Sequence, residues 1–209
     1  SKTSFYPNKL KTSDYTSSKP PLSVRLLLKE YSMSQLEILL TDITSLSVDA
    51  IVCPAHKFLS KGHGLSAQIF DQAGEELANA CLPLANCAIG EARVTPGFQL
   101  PAHFIIHTVT PMWSGGDQWG SNELEQLKQC YKNVLQLALD NGIRSIALPA
   151  LGAGSNRTPH PLSAHVGLEV MQQYLPKFER LIVCLHSDSA KHCWEEQYQA
   201  IHREKALLG

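Results

Sequence analysis

Two spacings of apolar residues divide the chain. Short, nearly continuous apolar runs occur at 24–32 (VRLLLKEYS), 36–40 (LEILL), 48–53 (VDAIVC), 103–109 (HFIIHTV), 143–150 (IRSIALPA) and 180–185 (RLIVCL). Runs of this length, bounded by proline, glycine or polar residues, predict strands. Elsewhere the apolar residues recur every three or four positions. Leu65, Ile69, Ala73 and Leu77 predict one helix from 65 to about 80. Leu124, Leu127, Tyr131, Val134, Leu135 and Ala138 predict a second, opened by Asn122 with Glu125 three residues on, in the manner of a capping box, and closed at Gly142. Segments 162–175 and 190–205 predict two more. From residue 48 onward strands and helices alternate. That order predicts an α/β layer fold with a largely parallel inner sheet and helices on both faces. Residues 1–23, rich in Ser, Thr, Lys and Pro, predict an irregular arm, and 24–209 a single domain without internal repeats.

Composition narrows the class without naming a function. The chain has 209 residues, 44% hydrophobic and 18% charged, which suits one globular domain with a real core. A net charge of -1 gives no support to a broad nucleic-acid surface. A small polyanion is still an admissible ligand, because backbone N–H groups hold phosphate without net charge. The six cysteines form no CxxC pair, which predicts reduced thiols. No apolar run reaches the length of a membrane span, and no signal-peptide pattern opens the chain, so a cytoplasmic protein off the membrane is expected. A monomer is expected, with no cofactor. His160 and His165, or the adjacent His192 and Cys193, fall short of a ligand set, so no metal is expected either.

In open α/β sheets ligands sit beyond the carboxyl ends of the strands. The unusual residues of this chain collect there: Asp42, the CPAH stretch at 53–56, the ALGAGSN stretch at 150–156, and 186–188. Gly62 and Gly64 stand directly ahead of a helix, where the N–H groups of Leu65, Ser66 and Ala67 are free and the helix dipole favours an anion. Gly152 and Gly154 offer a second bend, exposing the N–H groups of Ala153, Ser155 and Asn156 as a nest. Two such turns facing each other clamp two linked phosphates; the plainer alternative is glycines punctuating loops. Neither turn matches the P-loop or the dinucleotide fingerprint. Asp42 is placed either to accept from an exocyclic amine or to cap a turn through Thr44. His56 is placed to bond a sugar hydroxyl, to act as a base, or to be an ordinary loop histidine. His63, between the glycines, either shields phosphate or points outward. Ser155, His56 and Asp42 make a triad only on paper, since the nucleophile elbow is missing. Trp113, Trp119 and the glycines at 115 and 116 form a lid or a surface loop.

Together these stretches resemble the macro domain, an ADP-ribose-binding module. The likeness spans roughly 36–200 and is carried by LTDITSLSVDAIV, GHGLSAQIFDQAG, GEARVTPGFQLP, IIHTVTPMWSGG and IALPALGAG, in that order. It implies a three-layer α/β/α sandwich around a mixed, largely parallel sheet of about six strands. It implies that Asp42 holds the adenine amine, with Ile43 lining the base. The first phosphate loop is then Gly62, His63, Gly64, Leu65 and Ser66. The second is Gly152, Ala153, Gly154, Ser155 and Asn156, with His186 and Asp188 on the adenine side. The stand-alone relatives include hydrolases of ADP-ribose esters, so the implied ligand is ADP-ribose or an ADP-ribosylated protein. His56 and Ser66 are the implied catalytic positions. Departures concentrate at the distal ribose. The family's NAAN is CPAH, its GGGV is GHGL, the aspartate of many of the hydrolases is Ser66, and the second loop has Ser155 and Asn156 where an aromatic residue is common. The alternative is an inactive reader or scaffold whose pocket takes another nucleotide or none.

Overall fold

The computed structural model of the chain describes residues 36–115 and 121–209. The arm expected at 1–23, the strand expected at 24–32 and Trp119 lie outside them. In chain order the described elements are β1 (Glu37–Leu40), β2 (Ala50–Ala55), α1 (Leu65–Ala73), α2 (Glu76–Cys81), β3 (Ala92–Pro96), β4 (Phe104–Val109), α3 (Ser121–Asp140), β5 (Ser145–Pro149), α4 (His160–Tyr174), β6 (Arg180–Leu185) and α5 (Asp188–Leu208). Among the described residues no helix is long and apolar enough to cross a membrane.

The strands form one sheet in the order β1-β6-β5-β2-β4-β3. All neighbours are parallel except β3, which runs antiparallel to β4. Successive side chains of the inner strands go to opposite faces. Val52, Ile106, Ile146, Leu148 and Val183 pack against α3, α4 and α5, where Tyr131 and Trp194 are fully buried. Ile51, Ile105, Ala147 and Ile182 pack on the other face against Ile69, Phe70 and Leu77 of α1 and α2. The result is the three-layer α/β/α sandwich with a mixed, largely parallel sheet.

Three local expectations are corrected. The helix expected from 65 to about 80 is two helices. Gly74 breaks it at φ +92, the Gln99 N–H bonds to the Ala73 carbonyl (3.1 Å), and the Gln99 amide sits where a Cβ on Gly74 would be. Ile69, Ala73 and Leu77 nevertheless stay on one buried face. Strand β3 is an addition: its sequence, ARVTP, has only Thr95 fully buried, so its alternation is too weak to stand out from a loop. Helix α3 opens at Ser121, which places Asn122 inside it instead of at its cap. Its other end is as expected, with Gly142 at φ +71 and the Ile143 N–H returning to the Ala138 carbonyl at 3.0 Å.

Candidate functional site

The parallel strands bring their carboxyl ends to one edge, and β2 lies directly against β5. The turn after β2 leads into α1 and the turn after β5 into α4. Register therefore makes neighbours of two glycine turns almost ninety residues apart. A cavity of about 700 Å³ opens between them. Gly62, His63, Gly64, Leu65 and Ser66 line it from the first turn, and Gly152, Ala153, Gly154, Ser155 and Asn156 from the second. At the β6 end the wall is Leu185, His186, Ser187 and Ala190, and the start of α4 adds His160; beyond β4 it is Thr110 and Met112, with Ile89, His56 and Lys57 also on the wall. Among the described residues no aspartate or glutamate lines the cavity.

The first turn is built for an anion. Gly64 has φ +56 and ψ -124, a conformation closed to other residues, and a Cβ there would meet nothing within 4 Å. Among the described residues no side chain caps α1. Its first main-chain bond runs from the Gln68 N–H to the Gly64 carbonyl at 3.1 Å. The N–H groups of Leu65, Ser66 and Ala67 therefore have no acceptor among the described residues. Gly62 serves differently: its N–H donates to the buried Ser66 hydroxyl at 3.1 Å, and a Cβ would press on that oxygen at 3.3 Å.

The second turn is held from behind. Tyr131 Oη accepts from the Leu151 N–H (3.1 Å) and donates to Ser163 Oγ (2.8 Å), which donates to the Leu151 carbonyl (2.7 Å). Within the turn, the Thr158 N–H bonds to the Gly152 carbonyl at 2.8 Å and the Arg157 N–H to the Gly154 carbonyl at 3.0 Å. One detail of the expected nest is corrected: the Ala153 N–H bonds to the Ala150 carbonyl at 3.2 Å and is not on offer. The N–H groups of Gly154, Ser155 and Asn156, like that of Gly152, have no acceptor among the described residues.

The expected adenine residues stand differently. Ile43 is fully buried in the core beneath α1 and does not reach the cavity wall. Asp42 is exposed and also off the wall. Its Oδ1 accepts from the Thr44 N–H (2.9 Å), the Thr44 hydroxyl (2.7 Å) and Gln68 Nε2 (3.0 Å). Of the two roles open to Asp42 in the sequence, the turn cap is the one seen. It remains beside the β6 end: burial first, and the Asp42 charge second, push the Cys184 thiol up to about 12, and Cys184 lines the cavity.

His56 is on the wall, with both ring nitrogens engaged. Nδ1 accepts from the Phe58 N–H at 3.3 Å, so in the neutral ring Nε2 carries the proton, donated to Ser60 Oγ at 2.9 Å. His63 and His186 have no hydrogen-bond partner among the described residues. His160, weighed in the sequence only as a metal ligand, lines the cavity with Nδ1 accepting from Trp194 Nε1 at 3.3 Å. Burial holds its pKa below the ordinary imidazole value. Thr110 and Met112 were also missed. The strand-end rule, applied to β4 as it was to its neighbours, finds them.

A family model described as Macro domain matches residues 52–166. A macro domain-containing protein of Chlorobaculum tepidum is 41% identical over 150 residues, covering 70% of this chain and 86% of the relative. The Mus musculus protein named ADP-ribose glycohydrolase MACROD1 is 36% identical over 160 residues, covering 75% of this chain and 49% of that one. The Oceanobacillus iheyensis macrodomain superposes with a TM-score of 0.76 as a variant solved with ADPR and 0.75 with ADP. Identity is 31% in both, covering 82% of this chain and 95% and 94% of that one.

Proposed function

This chain belongs to the macro domain family, and we propose that its cavity binds ADP-ribose, free or attached to a protein. The observation that carries this reading is the pair of main-chain amide sets, at Leu65–Ser66–Ala67 and Gly154–Ser155–Asn156, unpartnered among the described residues and beside one cavity on which those residues place no carboxylate. Each set suits one phosphate of a diphosphate, and the α1 dipole adds to the first. The adenosine then lies toward β6, beside His186, with Asp42 Oδ2 left to meet the base amine because Oδ1 is taken. The distal ribose lies toward β4, beside His56 and Thr110.

Hydrolysis at the distal ribose is the second reading, favoured by the likeness to a protein named as a glycohydrolase. With no carboxylate on the wall among the described residues, His56 is the group assigned to orient or activate water. Its Nδ1 must first release the long bond from Phe58. Ser66 Oγ accepts from Gly62, so Ser66 fixes the turn and does not serve as a base. One preparation tests both readings. Calorimetry with ADP-ribose is expected to show one saturable site, and incubation with a protein ester-linked to ADP-ribose to release it, with His56→Ala losing release but keeping affinity. No heat from ADP-ribose overturns the binding reading, and binding without release by the parent protein overturns the hydrolytic one.

A further inference from the structure

The second turn is tied to the segment leaving β4 by a single residue. The side chain of Asn156 donates from Nδ2 to the Thr110 carbonyl at 3.1 Å and to Thr110 Oγ1 at 2.7 Å. Its own carbonyl accepts the Trp113 N–H at 2.7 Å. Asn156 therefore grips the stretch 110–113 at both ends. Between the grips stands Met112, 69% exposed and on the cavity wall.

This geometry fixes the amide's orientation. A main-chain carbonyl can only accept, so the NH₂ must face Thr110, and both of its hydrogens are taken there. Oδ1 is left as the polar side-chain atom Asn156 has to offer, and it has no donor among the described residues. Asn156 itself lines the cavity. An acceptor without a donor suits a hydroxyl and repels a phosphate oxygen. At this end of the cavity the chemistry thus favours a neutral sugar over a third phosphate.

We propose that Asn156 is a specificity and positioning residue: it straps Thr110–Trp113 across the β4 end of the cavity and presents Oδ1 to a hydroxyl of the sugar beyond the diphosphate, so that this chain selects a ribosylated nucleoside diphosphate over the bare diphosphate or a triphosphate. This rests on the reading of the cavity as an ADP-ribose site. The strap is a different solution from stacking on an aromatic ring. It holds the sugar by hydrogen bonding and by a wall that the turn itself keeps in place.

Calorimetry with ADP-ribose, ADP and ATP on the parent, Asn156→Ala and Thr110→Val proteins tests it. The parent is expected to bind ADP-ribose more tightly than ADP or ATP. Asn156→Ala is expected to weaken ADP-ribose about tenfold and to leave ADP within about twofold. Thr110→Val, which keeps the carbonyl and loses Oγ1, is expected to move the same ratio by about threefold. Equal weakening of ADP-ribose and ADP in Asn156→Ala marks a residue that merely shapes the turn and overturns the proposal, as does an unchanged ADP-ribose to ADP ratio. If the parent binds ADP and ADP-ribose equally, the specificity fails while the site stands; if it binds neither, the site fails with it.

Discussion

Gly64→Glu is expected to weaken ADP-ribose binding by about 100-fold or more, close to 2.7 kcal/mol. Two causes add. The first is conformational: Gly64 has φ +56 and ψ -124, and any side chain there strains the turn by about 1–3 kcal/mol. The second is electrostatic. A Cβ on Gly64 meets no atom within 4 Å, so the new side chain projects into open space at the start of α1. Its carboxylate then takes the favourable place beside the free N–H groups of Leu65, Ser66 and Ala67 that the ligand's phosphate needs. Gly64→Ala separates the causes, carrying the strain without the charge, and should lose much less. Added salt should recover part of the loss in the glutamate variant alone. Calorimetry at two salt concentrations reads all of this, and affinity within about threefold of the parent would show that phosphate does not lie at this turn.

The fold is expected to lose stability steeply in mild acid, and His107 is the reason. Its side chain is fully buried in the sheet, Nε2 meets Thr95 Oγ1 at 2.9 Å, Cys81 Sγ lies 4.0 Å away, and Nδ1 has no partner among the described residues. Burial pushes its pKa from 6.5 down to about 4. The unfolded chain therefore binds this proton more readily than the folded one. The stabilising effect is complete above about pH 6.5 and is lost as pH falls toward 4, up to roughly 3 kcal/mol. Glu37 acts lower: the Arg180 hydrogen bond holds its carboxyl below the usual 4.5, so its effect is lost only in stronger acid. Urea unfolding at pH 7, 6, 5 and 4.5 should show midpoints falling across this range. His107→Phe should flatten that fall, and an unchanged slope in the variant would remove His107 as the cause.

The sheet and its helices were legible because their residues repeat with the period of the element they form. β6 matches its expected bounds, and the buried stripe of α1 and α2 survives the break at Gly74. β3 was not legible, because an edge strand held by one neighbour needs little apolar alternation. The two glycine turns could be read because glycine ahead of a helix leaves local marks. The fate of single amide groups could not. Whether Ala153 or Gly154 offers its N–H depends on the bend from Ala150, a matter of angles that many sequences share. Asp42 was ambiguous for a similar reason: one carboxylate can cap Thr44 or meet a ligand, and spacing does not choose. Thr110 and Met112 follow the end of β4 and were within reach of the strand-end rule, whereas His160 is on the wall through packing against α5, which no local pattern reports.

Two amide sets, separated in sequence and adjacent in the fold, are expected to receive one diphosphate. The direct measurement is a ¹H–¹⁵N spectrum of the protein titrated with ADP-ribose. The amides of Leu65, Ser66, Ala67, Gly154, Ser155 and Asn156 should shift together along one saturation curve, while Ala153, already bonded to Ala150, moves less. Saturable binding that leaves either set unmoved would contradict the clamp.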